Sequence, residues 1–292
     1  MLRLCYYFLI ITLFLGCSTT SRLSAEEEAS YKEWKEQRFT NLKSPKGYLS
    51  LAGLYWLKPG NHMIGSDASA DIIFPDHAPE QIGSINVEKN KYQFNAMVPV
   101  HVNGEKKQTA ELFTDLSGKV TEVNHGSFYW FLIQRGDKVG LRLKDTLNEN
   151  RLNFSGVDSY DYNKEYKVQA EVMLAEKGET ISITNVVGVT EDQKVGGTLA
   201  FKLKGKQCSL KGIGDGYGSW FFVFGDETNS DTTYGGGRFL YVDVEPNAST
   251  VIVDFNLAHN PPCFFTTFAT CPWPPRENKL PLRIEAGEKA DH

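Results

Sequence analysis

The chain has few of the residues and none of the short motifs that usually identify an enzyme. Its 292 residues include only 6 histidines and 5 cysteines, and the histidines are scattered. It lacks a Gly-x-Ser-x-Gly nucleophile elbow, a His-Glu-x-x-His zinc helix and a phosphate-binding loop that ends in Lys-Ser or Lys-Thr. The sequence therefore predicts no cofactor and no metal, and it names no reaction.

A surplus of positive charge is also missing. The chain has 31 Lys and Arg against 36 Asp and Glu, which gives a net charge of −5, and its basic residues form no stripe. Nucleic-acid-binding domains carry such a stripe because contacts to phosphates dominate their affinity. We therefore expect no nucleic-acid partner.

One long apolar run is present, and it lies at the N-terminus. Residues 4–15 are mostly apolar and follow Arg3, which is the order of a secretory signal. The run is shorter than the roughly 20 residues that a membrane-spanning helix needs. Phe14-Leu15-Gly16-Cys17 resembles a bacterial lipobox, so residues 1–16 are predicted to be a lipoprotein signal peptide and Cys17 the lipidated residue. An ordinary secretory signal with an incidental cysteine is the alternative.

The segment after the signal is polar. Residues 17–29 include three consecutive glutamates at 26–28, which predicts a solvated tether. With acyl chains on Cys17, the protein would be held durably at a membrane surface. We therefore expect it in the bacterial cell envelope, lipid-anchored and facing the periplasm or the outside.

The rest of the chain predicts a mostly β fold. Between Ala25 and Leu42, Tyr31, Trp34 and Arg38 recur at helical spacing, which predicts one amphipathic helix. After it, apolar and polar residues alternate in short runs that glycine turns separate. The pattern predicts two packed β-sandwich-like halves with one N-terminal helix.

A domain boundary is predicted near residue 150, where polar residues interrupt the strand signal. Residues 30–150 would contain the N-terminal helix and a first β-sandwich, and residues 151–292 a second β domain. Because no long linker separates them, we expect the two halves to pack against each other.

Five prolines shape the most distinctive segment, from Asn260 to Asn278. Because proline fixes φ and lacks an N–H donor, this segment can be neither a helix nor a central strand. Cys263 and Cys271 lie between its proline pairs, and an exported compartment favours a disulfide between them. A reduced buried pair and a metal site are the alternatives. Trp273 is the best candidate for an exposed contact with a sugar or a partner.

The same segment carries a family resemblance. With Asp254-Phe255-Asn256 before it and Glu285 to Glu288 after it, it resembles the C-terminal signature of the DUF1684 family, bacterial proteins of unassigned function. The resemblance implies a shared fold and a shared polar cluster, without a reaction. Further matching segments extend it over nearly all of the chain after residue 30: Trp34, Arg38, 53–60, 65–67 and 233–240.

The first half is also faintly similar to the forkhead-associated (FHA) β-sandwich, in the order of its turns at Gly65 and at Asn103-Gly104. FHA domains read phosphothreonine with an Arg after the first glycine and with a Ser-x-x-His turn. Here Ser66 replaces the Arg, and residues 79–85 contain no such turn. The resemblance implies a fold and does not imply phosphopeptide recognition.

Polar residues after several strands of the second half form the candidate site. Loops at strand ends can bring such groups together without disturbing the core. Arg238 could pair with a ligand's carboxylate, or with Asp226 or Asp254 in a structural network. The candidate ligand-binding residues are Asp226, Thr228, Tyr234, Arg238, Asp254, Asn256, Asn260 and Asn278.

These residues favour a protein that binds a small polar ligand or an envelope partner through this cluster. A hydrolase of carbohydrate or ester bonds is a second hypothesis, with Asp254, His259 and Glu277 as candidate catalytic residues. A purely structural envelope protein, whose proline-rich loop locks the two halves together, is a third. Polar side chains around an open pocket would favour binding or catalysis, whereas paired and buried ones would favour the structural role.

Overall fold

The structure is a computed structural model that describes residues 23–290. The predicted signal peptide and Cys17 lie outside these residues. Within the described range, no helix combines the length and apolarity needed to cross a bilayer.

The first element is helix α1, Ala25–Lys43, which confirms the helical spacing. It begins at Ala25 because Ser24 caps it: the Ser24 hydroxyl accepts from the Glu27 N–H, and the Glu27 carboxylate accepts from the Ser24 N–H. Residues 25–29, the end of the predicted tether, are therefore helical. Ion pairs from Glu27 to Lys164 and Lys167 fasten this first turn to the second half of the chain.

α1 differs from the predicted amphipathic helix in how it packs. Leu42 is its one buried residue in the described part of the chain, and Tyr31, Trp34 and Arg38 are half-buried. Polar and aromatic contacts hold the helix in place. The residues at helical spacing are two aromatic rings and one guanidinium, and they do not form an aliphatic stripe.

The N-terminal domain is a sandwich of two mostly antiparallel sheets, followed by the short helix α2 (Glu149–Leu152). Its strands are β1 (Leu51–Trp56), β2 (Gly60–Gly65), β3 (Ile72–Ile73), β4 (Gly83–Glu88), β5 (Lys91–Ala96), β6 (His101–Val102), β7 (Glu105–Lys106), β8 (Thr109–Glu111), β9 (Val123–His125), β10 (Phe128–Arg135) and β11 (Lys138–Asp145). One sheet has the order β1-β11-β10-β9-β6-β7 and the other β3-β2-β4-β5-β8. Side chains of both sheets, such as Phe94 and Trp130, form the core between them.

Strand β11 directs Arg142 away from that core. Alternate residues of a strand face opposite sides, and Leu141 and Leu143 are fully buried in the sandwich. Arg142, between them, therefore faces outwards, towards the C-terminal domain.

The C-terminal domain is one large antiparallel sheet, and α3 (Pro262–Phe265) follows it. Its strands are β12 (Lys167–Leu174), β13 (Thr180–Thr184), β14 (Thr190–Leu203), β15 (Lys206–Ile213), β16 (Gly218–Phe224), β17 (Arg238–Val244) and β18 (Thr250–Asp254). The order is β17-β16-β15-β14-β12-β18, and β13 pairs with β14. Leu280, Leu282 and Ile284 pack on the core that Trp220 and Phe222 line.

The proline-rich segment, residues 260–278, lies between the two domains. Its Ala269 and Cys271 pack with Leu51 of the first domain and with Val223 and Phe239 of the second. The predicted class, a mostly β protein of two packed halves with one N-terminal helix, is confirmed: the first half is a sandwich of two sheets, and the second is one large sheet on which residues 280–284 pack.

Candidate functional site

Arg238 and Asp226 form the centre of a buried network, here called the Arg238 network. Both side chains are 0% exposed, and Arg238 Nη2 lies 2.8 Å from Asp226 Oδ2. Arg238 also donates to the carbonyls of Ile284, at 2.9 Å, and Ala286. The second carboxylate oxygen accepts from Thr228 and from the Ile284 N–H. The guanidinium and the carboxylate neutralise each other and are buried, so neither charge is open to a ligand, although Arg238 Nε has no partner within the described residues.

Asn278 has a similar role beside β15. It is 2% exposed, its Nδ2 donates to the carbonyls of Lys211 and Val223, and its Oδ1 accepts from the Lys211 N–H. Thr228 is also buried, with its hydroxyl 2.8 Å from that of Thr233. For these residues the structure shows the paired and buried arrangement that the sequence left open.

Asp254 and Asn256 form a separate cluster at the end of β18. Asp254 accepts from the Tyr162 hydroxyl at 2.7 Å and from the amide of Asn256 at 2.7 Å. Asn256 in turn bonds both backbone groups of Asn163. Within residues 23–290, no hydrogen bond joins Asp254 to Arg238, so the predicted cluster is divided into distinct groups.

Asn260 belongs to a third group, which the sequence analysis did not assemble. Its N–H donates to Glu288 Oε2 at 2.7 Å, and its carbonyl accepts from Arg38 Nη2 at 2.8 Å. Arg38 also pairs with Glu288. These contacts fix α1 to the C-terminal segment, and a separation of 250 residues leaves no local signal for the pair.

His259 is enclosed by aromatic rings. It lies parallel to Tyr241, with centroids 6.0 Å apart, and 6.2 Å from Trp34, and its Nδ1 donates to the Leu257 carbonyl. Burial, and then the charge of Arg38, lower the pKa of His259 to about 4. The ring is therefore neutral at neutral pH.

The three candidate catalytic residues form no hydrogen-bonded set within the described part of the chain. Within the described residues, no hydrogen bond joins any two of Asp254, His259 and Glu277, and Glu277 is exposed on the turn Arg276–Asn278. No group of three His, Cys, Asp or Glu in residues 23–290 is arranged to hold a metal ion.

The predicted disulfide is absent from the structure, which corrects the sequence analysis. Cys263 and Cys271 are free thiols, as is Cys208. The sulfur of Cys271 instead accepts from the Cys263 N–H at 3.1 Å, and a hydrogen bond between the two side chains lowers the pKa of Cys263 and raises that of Cys271. Burial raises the pKa of Tyr234, whose hydroxyl bonds the Cys263 carbonyl. Prolines and packing, without a covalent bond, shape this loop.

An open groove of about 440 Å³ lies beside the Arg238 network and is here called the Trp273 groove. Trp273 is 50% exposed at its edge. The Trp273 N–H donates to the Thr184 carbonyl at 2.8 Å, and Pro274 packs so closely on Gly237 that a Cβ there would lie 2.3 Å from its ring. The backbone that carries the indole is therefore fixed on both sides.

The groove also presents free charges of both signs. The side chains of Glu227 and Lys279 line it, and neither has a hydrogen bond or an ion pair within the described part of the chain. Asp226 and Asn229 contribute to the wall, with polar atoms that already bond other residues.

Two arginines of the N-terminal domain meet the proline-rich segment at one hydroxyl, a site here called the arginine junction. Arg135 Nε and Arg142 Nη2 each lie 3.1 Å from Thr270 Oγ1. Arg135 also pairs with Asp115 at 2.8 Å. Burial, and then the charge of Arg135, lower the pKa of Arg142 to about 10. No local sequence pattern marks the junction, because Arg142 resembles any outward charge of an alternating strand.

Comparison with known proteins gives a family without an assigned activity. Residues 152–289 match the model of a family described as "Protein of unknown function (DUF1684)". An uncharacterized protein of Haloarcula marismortui, whose solution structure was determined by NMR, is 30% identical; the match covers 48% of this chain and 78% of that chain, with a TM-score of 0.38. No curated protein matches the chain.

FHA domains are among the solved structures that match a part of the chain. One comes from a study of phosphothreonine-dependent FHA domain interactions; it is 13% identical, and the match covers 31% of this chain and 92% of that chain, with a TM-score of 0.23. Mycobacterium tuberculosis EmbR, in complex with a low affinity phosphopeptide, is 14% identical, with 42% and 32% covered and a TM-score of 0.22.

The family match spans the C-terminal domain, which contains the Arg238 network, the Trp273 groove and the proline-rich segment. It agrees with the signature read from the sequence. The chain belongs to the DUF1684 family.

Proposed function

We propose that this protein is an exported, lipid-anchored binding protein of the bacterial cell envelope, and that its Trp273 groove takes up a small neutral polar ligand of the saccharide class. The observation that carries this proposal is a half-exposed indole, fixed between prolines, at the edge of a groove with unpaired polar groups.

The chemistry of the groove supports a sugar more than an ion. An indole face packs against the apolar face of a sugar ring, while its edge can donate a hydrogen bond. Glu227 and Lys279 add a free acceptor and a free donor, and their opposite charges give the wall no net attraction for an anion or a cation. A volume of about 440 Å³ lies within the roughly 300–1,000 Å³ of small-molecule sites.

Rigidity supports affinity at this place. A ring whose backbone is already fixed loses little conformational freedom when a ligand binds, so a few contacts suffice. In this proposal the Arg238 network is the frame that holds Gly225–Asn229 and Tyr234–Gly237 around the groove. Asp226 and Arg238 act on the ligand only through the position of these walls.

The envelope location rests on the sequence. Cys17 follows a lipobox-like segment, and α1 begins at Ala25, so seven residues, 18–24, separate the anchor from the first helix. A hydrolase has no comparable support, since no hydrogen bond joins its candidate residues within residues 23–290. The structural alternative has the contacts of the proline-rich segment with both domains, and it predicts that no ligand binds the groove.

A binding screen tests this function. Purified protein without its signal peptide is titrated with a panel of envelope oligosaccharides, and binding is followed by calorimetry. We expect one saccharide to bind and Trp273→Ala to weaken its binding about tenfold or more, because the stacking contact of the indole is worth at least about 1.4 kcal/mol.

Tyr217→Ala is the matched control, since Tyr217 is also an exposed aromatic of the same domain (39%) but lies outside the groove. It should leave the affinity unchanged. A wild-type protein that binds no saccharide, or a Trp273→Ala protein that binds as well as the wild type, would contradict the proposal.

A further inference from the structure

Arg142 uses little of its hydrogen-bonding capacity. A guanidinium has five N–H donors, and within residues 23–290 Arg142 donates one hydrogen bond, to Thr270. Its Nε is buried and has no partner. It forms no ion pair with any described carboxylate. The other arginines at the centre of a contact network, Arg38 and Arg238, each have a carboxylate partner.

The electrostatic balance at the arginine junction is unfavourable as it stands. Arg135 and Arg142 bring two positive charges to one neutral hydroxyl, and Asp115 compensates one of them. Taking an unpaired charge out of water is costly, and a like charge beside it adds to the cost. The lowered pKa of Arg142 expresses both effects. At a pKa of about 10 the group nevertheless keeps its proton at neutral pH, so it cannot relieve the strain by becoming neutral.

A cavity of about 210 Å³ opens beside the same hydroxyl, and Arg135, Thr270 and Asn185 line it. The Oδ1 of Asn185 accepts from two backbone N–H groups, while its Nδ2 has no partner among the described residues. Asn185 is 7% exposed, so this donor is held in place. Glu191 also lines the cavity and supplies its negative charge.

We propose that the cavity beside the arginine junction is a binding site for a small oxyanion, the carboxylate or phosphate group of a small molecule. Arg135 would hold it beside Thr270, and the charge of Arg142, which lies behind this hydroxyl, would attract it. A guanidinium binds such groups through charge-assisted hydrogen bonds, which Arg135 can donate in the cavity, and the charge of Arg142, which has no ion pair among the described residues, adds to the attraction. Asn185 adds a neutral donor. This site is separate from the Trp273 groove: it takes a negatively charged ligand, whereas the groove takes a neutral one.

The site would also link the domains. Arg135 and Arg142 belong to the N-terminal sandwich, whereas Thr270 and Asn185 belong to the C-terminal half. A bound anion therefore contacts both halves, and its binding raises the stability of their joint fold by mass action.

The test uses inorganic phosphate and citrate as probes, each against sodium chloride of equal ionic strength, with the protein lacking only its signal peptide. Calorimetry gives the affinity, and the thermal unfolding midpoint shows whether binding stabilises the joint fold of the two domains. We expect at least one probe to bind and to raise the midpoint in a concentration-dependent way. Binding of phosphate alone assigns a phosphate group, and binding of citrate alone assigns a carboxylate. A wild-type protein that responds to neither probe overturns the proposal.

Three variants separate the site from a general salt effect. Arg142→Gln should weaken the binding of the responding probe about tenfold or more, because the unpaired positive charge beside the cavity is lost. Glu191→Gln should tighten it, because a negative charge leaves the cavity wall. Arg151→Gln is the control: Arg151 Nε is also buried without a partner, but Arg151 shares no acceptor with a second guanidinium. Equal affinity in Arg142→Gln and the wild type overturns the proposal, and so does a loss in Arg151→Gln as large as that in Arg142→Gln.

Discussion

Two arginines of this protein, Arg238 and Arg142, are withdrawn from water in opposite ways. Arg238 lies in the C-terminal core, paired with Asp226 and bonded to two carbonyls. Arg142 lies between the domains, bonded to one hydroxyl that it shares with a second guanidinium. The Nε of each is buried without a partner, so the two differ in charge: Arg238 has a counter-ion, and Arg142 has none within the described residues.

The difference distinguishes residues that hold the fold together from residues that can bind a ligand. A buried ion pair stabilises one arrangement of the chain and leaves no charge for a ligand to neutralise. An arginine without an ion pair can still attract an anion, and a ligand can supply the missing counter-charge. The polar residues around Arg238 are therefore best understood as the frame of the C-terminal domain, although they were the most prominent candidates in the sequence.

The largest expected effect comes from breaking the complete pair. Arg238→Met leaves the Asp226 carboxylate buried without its counter-charge and should cost about 3–5 kcal/mol of unfolding free energy. Urea denaturation measures it. The double variant Asp226→Asn with Arg238→Met removes both charges, so it should recover a part of the loss. A single variant within about 1 kcal/mol of the wild type would show that this network does not frame the domain.

A pH series extends the comparison to His259, a buried group that can lose its charge by releasing a proton. Burial holds the pKa of His259 at about 4, below its ordinary value of 6.5. Between these values the unfolded chain binds the proton and the folded chain does not, so stability should fall as the pH falls from 6.5 to 4. The loss should reach about 3 kcal/mol and then level off.

Denaturant unfolding at pH 7, 5.5 and 4 measures this dependence, and His259→Gln is the control that should lack it. Glu27 contributes in a lower window: hydrogen bonds from Ser24, Lys164 and Lys167 lower its pKa from 4.5 to about 2, so its share is lost only as the pH falls through that range. A His259→Gln protein with the same pH dependence as the wild type would place the effect elsewhere.

The sequence was sufficient to predict the fold, but it predicted much less of the candidate site. Alternation and glycine turns predicted the β sheets, and the spacing of Tyr31, Trp34 and Arg38 predicted α1, because both patterns are local. The signature around residue 260 led to the family. Trp273 was identified as an exposed ring, since a residue between two prolines has few ways to enter a core.

What the sequence could not give depends on distant contacts. Residue type showed that Asp226, Arg238 and Asn278 are polar, but only the fold shows that they are paired and buried. The spacing of Cys263 and Cys271 allowed a closed loop, whereas the structure has a hydrogen bond between an N–H and a sulfur. Arg142 meets Thr270 across 128 residues, and no local pattern marks either residue as part of a site.

The most direct test of the distinction between frame and site is the unfolding free energy of Arg142→Met beside that of Arg238→Met, in a buffer free of phosphate and carboxylates. We predict that Arg142→Met stays within about 1 kcal/mol of the wild type, because it removes an unpaired charge, and that Arg238→Met loses at least about 3 kcal/mol. Equal losses in the two variants would contradict the account.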